Sequence, residues 1–94
     1  MGEGAAAPTQ ARVWFRFPRS AWADRNGHGT LIREDGKGNQ LREITVHRPE
    51  PFLRWVLSLE GDARVEAPED LRQAFRAVVE AVARRYEPKQ GGTA

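Results

Sequence analysis

The sequence contains no cysteine and only two histidines, His28 and His47. The lack of cysteine excludes disulfide frameworks, thiolate zinc sites and cysteine nucleophiles, and two histidines provide few ligands for a metal centre. No apolar run approaches the ~18 residues of a membrane-spanning helix, and residues 1–10 lack the basic and apolar blocks of a secretory signal. We therefore expect a soluble cytoplasmic protein that is not an enzyme and uses no cofactor, metal or membrane.

Lysine is also scarce, because Lys37 and Lys89 are the only lysines beside 13 arginines. With 13 acidic residues the formal net charge is only +2. A domain that binds DNA through phosphate contacts alone usually carries a larger basic surplus, since each neutralised phosphate adds a counterion-release contribution. The charge balance therefore does not favour autonomous DNA binding, and we expect any contact with DNA to be indirect.

What the sequence does contain is typical of one small globular domain. Hydrophobic residues make up 39% of the 94 residues and charged residues 30%, which makes a disordered chain improbable. Residues 1–10 consist mostly of small and polar residues that provide few apolar anchors, and the same holds for the other end. We predict a linker or tail over 1–10, one domain over 11–88, and a second tail over 89–94.

The hydrophobic pattern alternates between strand and helix periods along this domain. Period-two runs predict strands over 12–17, 30–34, 41–47 and 62–67, and the glycines between the second and third runs predict a hairpin. A short helix is expected over 20–25 with Ser20 as its cap, and another follows Pro49 and Pro51 and ends at Gly61. The clearest helix begins at Glu69 and places apolar residues three or four positions apart: Leu71, Phe75, Val78, Val82 and Tyr86.

This order of elements predicts an α+β domain with a ferredoxin-like split βαβ fold, in which a four-stranded antiparallel sheet carries helices on one face and an added C-terminal helix. Alternation directs one set of strand residues toward the helices: Val13, Phe15, Phe17, Ile44, Val46 and Val65. The opposite face is then open. Its candidate interaction or ligand residues are Arg12, Trp14, Arg16, Thr45, His47 and Arg64.

Two interpretations of this open face remain at the level of sequence. Trp14 between Arg12 and Arg16 could stack on a base while the guanidinium groups hold phosphate. Alternatively, an aromatic residue on an uncovered sheet face packs against a neighbouring domain or a second subunit. We favour the second interpretation, because an exposed apolar patch most often marks a protein contact.

Other conspicuous residues have simpler structural interpretations. His28 lies between two glycines with no second titrating group nearby in the sequence, so no catalytic or ligand role is assigned to it. The glycines around Lys37 lack the strand-to-helix setting and the Lys-Ser/Thr ending of a phosphate loop. Trp55 is expected in the core and Trp22 at its edge.

A resemblance extends this interpretation. Residues 53–72 read LRWVLSLEGDARVEAPEDLR, which combines a helix ending in Trp, two aliphatics and Ser, a strand reading acidic-Ala-x-Val-x-x-Pro, and the acidic-Leu-Arg start of a helix whose last apolar residue is Tyr86. This stretch resembles the C-terminal extension, or WCX domain, of bacterial WYL-domain transcriptional regulators. The strand of residues 13–18 matches the start of that module, so the resemblance spans about residues 12–87. Glu60 departs from the family, which more often has Phe or Trp followed directly by Gly.

In that family a DNA-binding winged helix precedes a WYL domain with an Sm-like barrel, which is thought to sense a ligand, and the extension follows. The resemblance implies a non-catalytic regulatory and dimerisation module that helps control effector sensing and DNA binding by its parent protein. Its expected partners are the WYL and winged-helix domains and a second copy, and the effector would be a nucleic acid or small molecule. We expect the chain to be one excised domain. The alternative is a free-standing ferredoxin-like domain that binds single-stranded nucleic acid or a small ligand on its open face.

Overall fold

A computed structural model describes residues 7–86 of the chain. Along this range three helices interrupt four strands in the predicted order. The elements are β1 (Thr9–Phe15), α1 (Arg19–Arg25), β2 (Thr30–Glu34), β3 (Gln40–Val46), α2 (Pro49–Leu57), β4 (Ala63–Ala67) and α3 (Glu69–Tyr86). Residues 1–6 of the first predicted tail and the whole second tail, 89–94, lie outside the described residues, while Thr9 and Gln10 already belong to β1.

The four strands form a single sheet in the order β2-β3-β1-β4. Each neighbouring pair is antiparallel, so β1 and β2 run parallel to each other with β3 between them, and β3 and β4 run parallel with β1 between them. This is the split βαβ arrangement, and α3 is the helix added after it. The predicted fold class is confirmed.

The core lies on one face of the sheet because the strands alternate as predicted. Ala11, Val13 and Phe15 of β1 are fully buried, and they contact apolar side chains of β3, β4 and the helices. Ile44, Val46 and Val65 also point to this face, as expected. The larger members contributed by the helices and by the α2–β4 connection are Phe52, Leu53, Val56, Leu59 and Leu71.

Phe17 does not join this core, so its prediction is wrong. The strand ends at Phe15, and the Phe17 side chain is 56% exposed. Its backbone N–H donates to Asn39 Oδ1 at 2.8 Å, and its ring lies beside Gly38 in the β2–β3 turn. The period-two pattern of the sequence therefore includes Phe17, although the chain has already left the sheet after Phe15.

Two predicted helix ends also need correction. Ser20 does not cap α1: Pro18 is the N-cap residue, and the buried Ser20 hydroxyl donates to the Gly38 carbonyl at 2.6 Å. Gly61 does not directly follow α2 either. The helix ends with Ser58 as its C-cap, and the positive φ of Glu60 and Gly61 belongs to a further turn that leads into β4.

The turn between β2 and β3 depends on Asp35. Its carboxylate accepts hydrogen bonds from Asn39 Nδ2 and from the backbone N–H groups of Lys37 and Asn39. The Asn39 side chain, followed by the Lys37 N–H, lowers the pKa of Asp35 below its ordinary value. A carboxyl with a lowered folded-state pKa stabilises the fold above its ordinary pKa, and this contribution is lost as the pH falls through the folded-state value.

Helix α3 begins on the core and then extends beyond it. Leu71 is buried and Phe75 is half-buried against the core cluster, but exposure then increases and Tyr86 is 82% exposed. Glu69 and Asp70 lie in the first turn and Arg84 and Arg85 in the last, which complements the helix dipole. The predicted apolar stripe is therefore helical, but only its first part packs against this chain.

Candidate functional site

The open face of the sheet has an apolar centre formed by Trp14 and Leu41. The two residues are partners in the β1–β3 register, and Trp14 also pairs with Arg64 of β4. Leu41 is buried although it lies on the uncovered face, because the larger side chains around it shield it. We call the following residues the open-face cluster: Arg12, Trp14, Arg16, Arg33, Leu41, Glu43, Arg64 and Glu66.

Arg33 extends this cluster from β2. Its guanidinium carbon lies 5.7 Å from the centroid of the Trp14 ring, within the range of a cation–π contact. A recess of about 160 Å³ lies between Trp14, Arg33, Leu41, Arg64 and Glu66. A second recess of about 140 Å³ lies beside Trp14, toward Arg16 and Asp62. The indole therefore lies beside two shallow recesses that a partner could fill.

The charges around the indole are mostly positive. Arg12 pairs with Glu43 at 3.8 Å, and Arg64 pairs with Glu66. Within residues 7–86, neither Arg16 nor Arg33 forms an ion pair. The open-face cluster therefore offers two guanidinium groups to an external partner beside an aromatic surface.

The structure brings together only part of the predicted site. Arg12, Trp14, Arg16 and Arg64 lie on neighbouring stretches of β1 and β4 or directly after β1. Thr45 lies farther along β3, where its hydroxyl hydrogen-bonds to Gln10 Oε1 at 3.1 Å. His47 follows β3 and lines a separate recess with residues of the α2 N-terminus.

Sequence reasoning missed Arg33 and Leu41. Leu41 could have been assigned to the open face from the alternation of β3, since Ile44 and Val46 point to the core. The position of Arg33 could not have been predicted in this way, because a register shift between Leu31 and Arg33 puts Arg33 on the open face. A strict period of two across β2 cannot detect that shift.

A second cluster lies on the helix face, where His28 is placed between two indoles. Its ring centroid lies 4.7 Å from that of Trp22 and 5.1 Å from that of Trp55. Trp55 also contacts Phe15 edge-on at 6.4 Å. Trp22 packs at the edge of the core as expected, whereas Trp55 is half-buried against the core and not within it. His28 contributes to packing between α1 and α2.

Arg42 holds the segment that carries His28. Its side chain is on the core face, and the residue is only 4% exposed. Its Nε donates to the His28 carbonyl at 2.8 Å, and its two terminal nitrogens bond to Gln40 Oε1, Asp24 Oδ1 and the Gly29 carbonyl. The planar guanidinium satisfies four acceptors that no other side chain could reach together.

We expect Arg42→Lys to lower the free energy of unfolding by about 2–3 kcal/mol, since an ammonium cannot reproduce the fork and leaves carbonyl groups unsatisfied. Asp24 is mostly exposed, so its ion pair contributes little to this loss. Arg54→Lys on the exposed side of α2 is the matched control and should change stability by less than about 0.5 kcal/mol. Urea titrations of both variants test this, and equal losses would contradict the role assigned to Arg42.

Two further observations concern the described part of the chain. Among residues 7–86, no group of three His, Asp or Glu side chains is arranged to hold a metal ion. No helix in this range combines the length and the apolar character needed to cross a membrane.

Comparison with known proteins gives one match. No curated protein and no solved structure matches the chain. The family model of the WCX domain matches residues 7–83, which covers all seven elements except the end of α3. The chain, with its split βαβ sheet and added helix, belongs to the WCX domain family.

Proposed function

We propose that this WCX domain is the non-catalytic regulatory and dimerisation module of a WYL-type bacterial transcriptional regulator. Its partners would be the WYL and winged-helix domains of the parent protein and a second copy of the module. It would meet DNA only through the parent protein, in the bacterial cytoplasm. Family membership supports the association with a WYL domain, and the open-face cluster supports a surface of contact.

The observation that carries the proposal is the environment of Trp14. Interface centres are enriched in Trp and Arg, and binding energy concentrates on a few such residues that fill a recess in the partner. Here a half-buried indole and Leu41 form an apolar centre, and arginines and two glutamates surround it. This combination resembles the centre and rim of a protein interface more than a closed ligand pocket.

Trp14→Ala should weaken self-association of the domain, or its association with a separately produced WYL domain, by at least about tenfold, as expected for a central interface residue. Leu31→Ala is the control, because Leu31 is an exposed apolar side chain of β2 outside the open-face cluster. Sedimentation velocity over a concentration series measures both variants. Unchanged association of Trp14→Ala with a folded circular dichroism spectrum would overturn the proposed contact.

A second candidate function is binding of single-stranded nucleic acid on the same face. The contact of Arg33 with Trp14 favours it, as does Arg16, which forms no ion pair with any residue of 7–86, because bases stack on indoles while guanidinium groups neutralise phosphate. Titration with a thymidine oligonucleotide at two salt concentrations distinguishes the candidates. If Trp14→Ala abolishes oligonucleotide binding and leaves both protein associations unchanged, the nucleic-acid function replaces the proposed one.

A further inference from the structure

The second half of α3 carries an apolar surface that residues 7–86 leave partly uncovered. Four apolar side chains follow one another at spacings of four, three and four residues, so they lie on one side of the helix over about three turns: Phe75, Val79, Val82 and Tyr86. Phe75 and Val82 are half-buried. Val79 is 38% exposed and Tyr86 is 82% exposed. We call these four residues the α3 seam, and none of them belongs to the open-face cluster.

A groove between α3 and β4 adjoins the first half of the α3 seam. Its volume is about 330 Å³, larger than either recess beside Trp14. Phe75 and Val79 belong to both the seam and the groove. Val65 of β4 also lines the groove but is only 3% exposed, so the accessible surface there consists mainly of α3 side chains. A partner that packs along the seam would therefore also fill this groove.

The spacing of the α3 seam fits a second helix. Apolar residues that alternate between spacings of three and four form the contact line of two packed helices, where side chains of one helix insert between those of the other. Amphipathic helices dock on apolar surfaces through anchors with this repeat. The backbone N–H and C=O groups within α3 are already bonded along the helix, so the contact depends on side chains.

The residues that flank the α3 seam carry only positive charge. In the heptad repeat of a helix pair, the positions directly beside the apolar line hold the charges that select the partner. Here these positions are occupied by Arg76, Val78, Ala83 and Arg85. Neither arginine forms an ion pair with another described residue. A helix with acidic residues beside its apolar stripe would therefore pair with both guanidinium groups.

A second copy of α3 is a less suitable occupant. Antiparallel pairing of the seam with itself, with Phe75 beside Tyr86 of the other copy, would place Arg76 beside Arg85 of that copy. Like charges that face each other across a helix pair disfavour association. Parallel pairing would leave both arginines without an acidic partner, because the flanking positions contain no Asp or Glu.

We infer that the α3 seam binds an amphipathic helix of a partner protein. The apolar stripe of that helix packs along the seam, and its flanking carboxylates pair with Arg76 and Arg85. This interaction goes beyond the proposed regulatory function, because it uses a different surface from the open-face cluster.

The test uses a capped peptide of three heptads with leucine at the seam positions and glutamate at all flanking positions. The like-charged flanks oppose pairing of the peptide with itself. A matched peptide carries lysine in place of each flanking glutamate. In isothermal titration the glutamate peptide should bind at least about tenfold more tightly than the lysine peptide. In NMR spectra it should shift the amide resonances of the α3 seam more than those of β2.

Arg76→Glu should weaken binding of the glutamate peptide by at least about tenfold and strengthen binding of the lysine peptide. A change of fold alone would not produce this exchange of preference. Arg25→Glu is the matched control, because Arg25 is an exposed arginine in the last turn of α1 and should leave both affinities unchanged. Val79→Asp should also weaken binding by at least about tenfold, since it places a charge within the apolar seam.

Equal binding of the two peptides, no binding at millimolar peptide, or binding that survives Val79→Asp in a folded domain would overturn the inference. Self-association that Val79→Asp abolishes without peptide would assign the seam to a second copy instead. Binding to anionic phospholipid vesicles without binding to the glutamate peptide would assign it to a membrane surface. Trp14→Ala should retain peptide binding, so failure here is distinguishable from failure of the open-face proposal.

Discussion

Phe15→Ala is expected to lower the free energy of unfolding by about 3–5 kcal/mol, which is a large part of the stability of a domain of this size. Phe15 lies on β1, one of the two inner strands of the sheet, and is 0% exposed. Its ring contacts Trp55 edge-on, and Trp55 in turn contacts His28 and Phe52. Removing the ring leaves a cavity that this close-packed aromatic group cannot easily fill.

Phe75→Ala is the matched comparison, because it removes the same ring from a half-buried position at the groove between β4 and α3. We expect a smaller loss of about 1–3 kcal/mol, since less apolar area returns to water and solvent can occupy the space. Urea unfolding followed by Trp fluorescence measures both variants. Equal losses of unfolding free energy in the two variants would contradict the assignment of Phe15 to the buried core and of Phe75 to a half-buried position at its edge.

The element types could be predicted from the sequence because the period of burial differs between a strand and a helix. Val13 and Phe15 alternate with Arg12 and Trp14, and this alone identifies a strand with one covered face. The order of strands and helices then leaves few compact topologies. The fold class and the central part of the open face could therefore be predicted from the sequence.

The remaining features depend on contacts between segments that are distant in the chain. Phe17 leaves the core because Asn39 of another turn binds its N–H, and Ser20 bonds to Gly38 instead of capping its own helix. Arg33 reaches Trp14 only because β2 shifts its register against β3. Such shifts and side-chain bonds have no local period, so hydrophobic patterning does not encode them.

The cluster of His28, Trp22 and Trp55 also depends on contacts that the sequence pattern does not predict. The three rings come from α1, from the connection after it, and from α2. The sequence correctly indicates that both indoles pack, but it contains no signal that a histidine between two glycines lies between them. The position of His28 is set by Arg42, which holds the carbonyls of His28 and Gly29 from β3.

Gly29→Ala is expected to destabilise the domain by about 2–5 kcal/mol, because two separate penalties add. Gly29 has φ +74°, a conformation that disfavours a side chain. A Cβ at this position would also collide with the Glu43 carbonyl oxygen and lie 2.7 Å from Ile44 Cγ1. Since the oxygen belongs to the β3 backbone, the clash cannot be relieved by rotating a side chain.

Two other glycines separate these penalties. Gly27 has φ +66°, but a Cβ added there would have nothing within 4 Å. Gly27→Ala should therefore lower the free energy of unfolding by about 1–2 kcal/mol, which is the cost of the left-handed conformation alone. Gly36 has neither a positive φ nor a neighbour within 4 Å of an added Cβ, so Gly36→Ala should leave stability nearly unchanged.

Urea titration of the three variants gives their free energies of unfolding, and near-ultraviolet circular dichroism reports the packing of the Trp22–His28–Trp55 cluster. Gly29→Ala should alter that spectrum, because Gly29 adjoins His28 and its displacement disturbs the bond to Arg42. If Gly29→Ala costs no more than Gly27→Ala, the loop does not lie against β3 as described, and Arg42 cannot hold His28 between the two indoles.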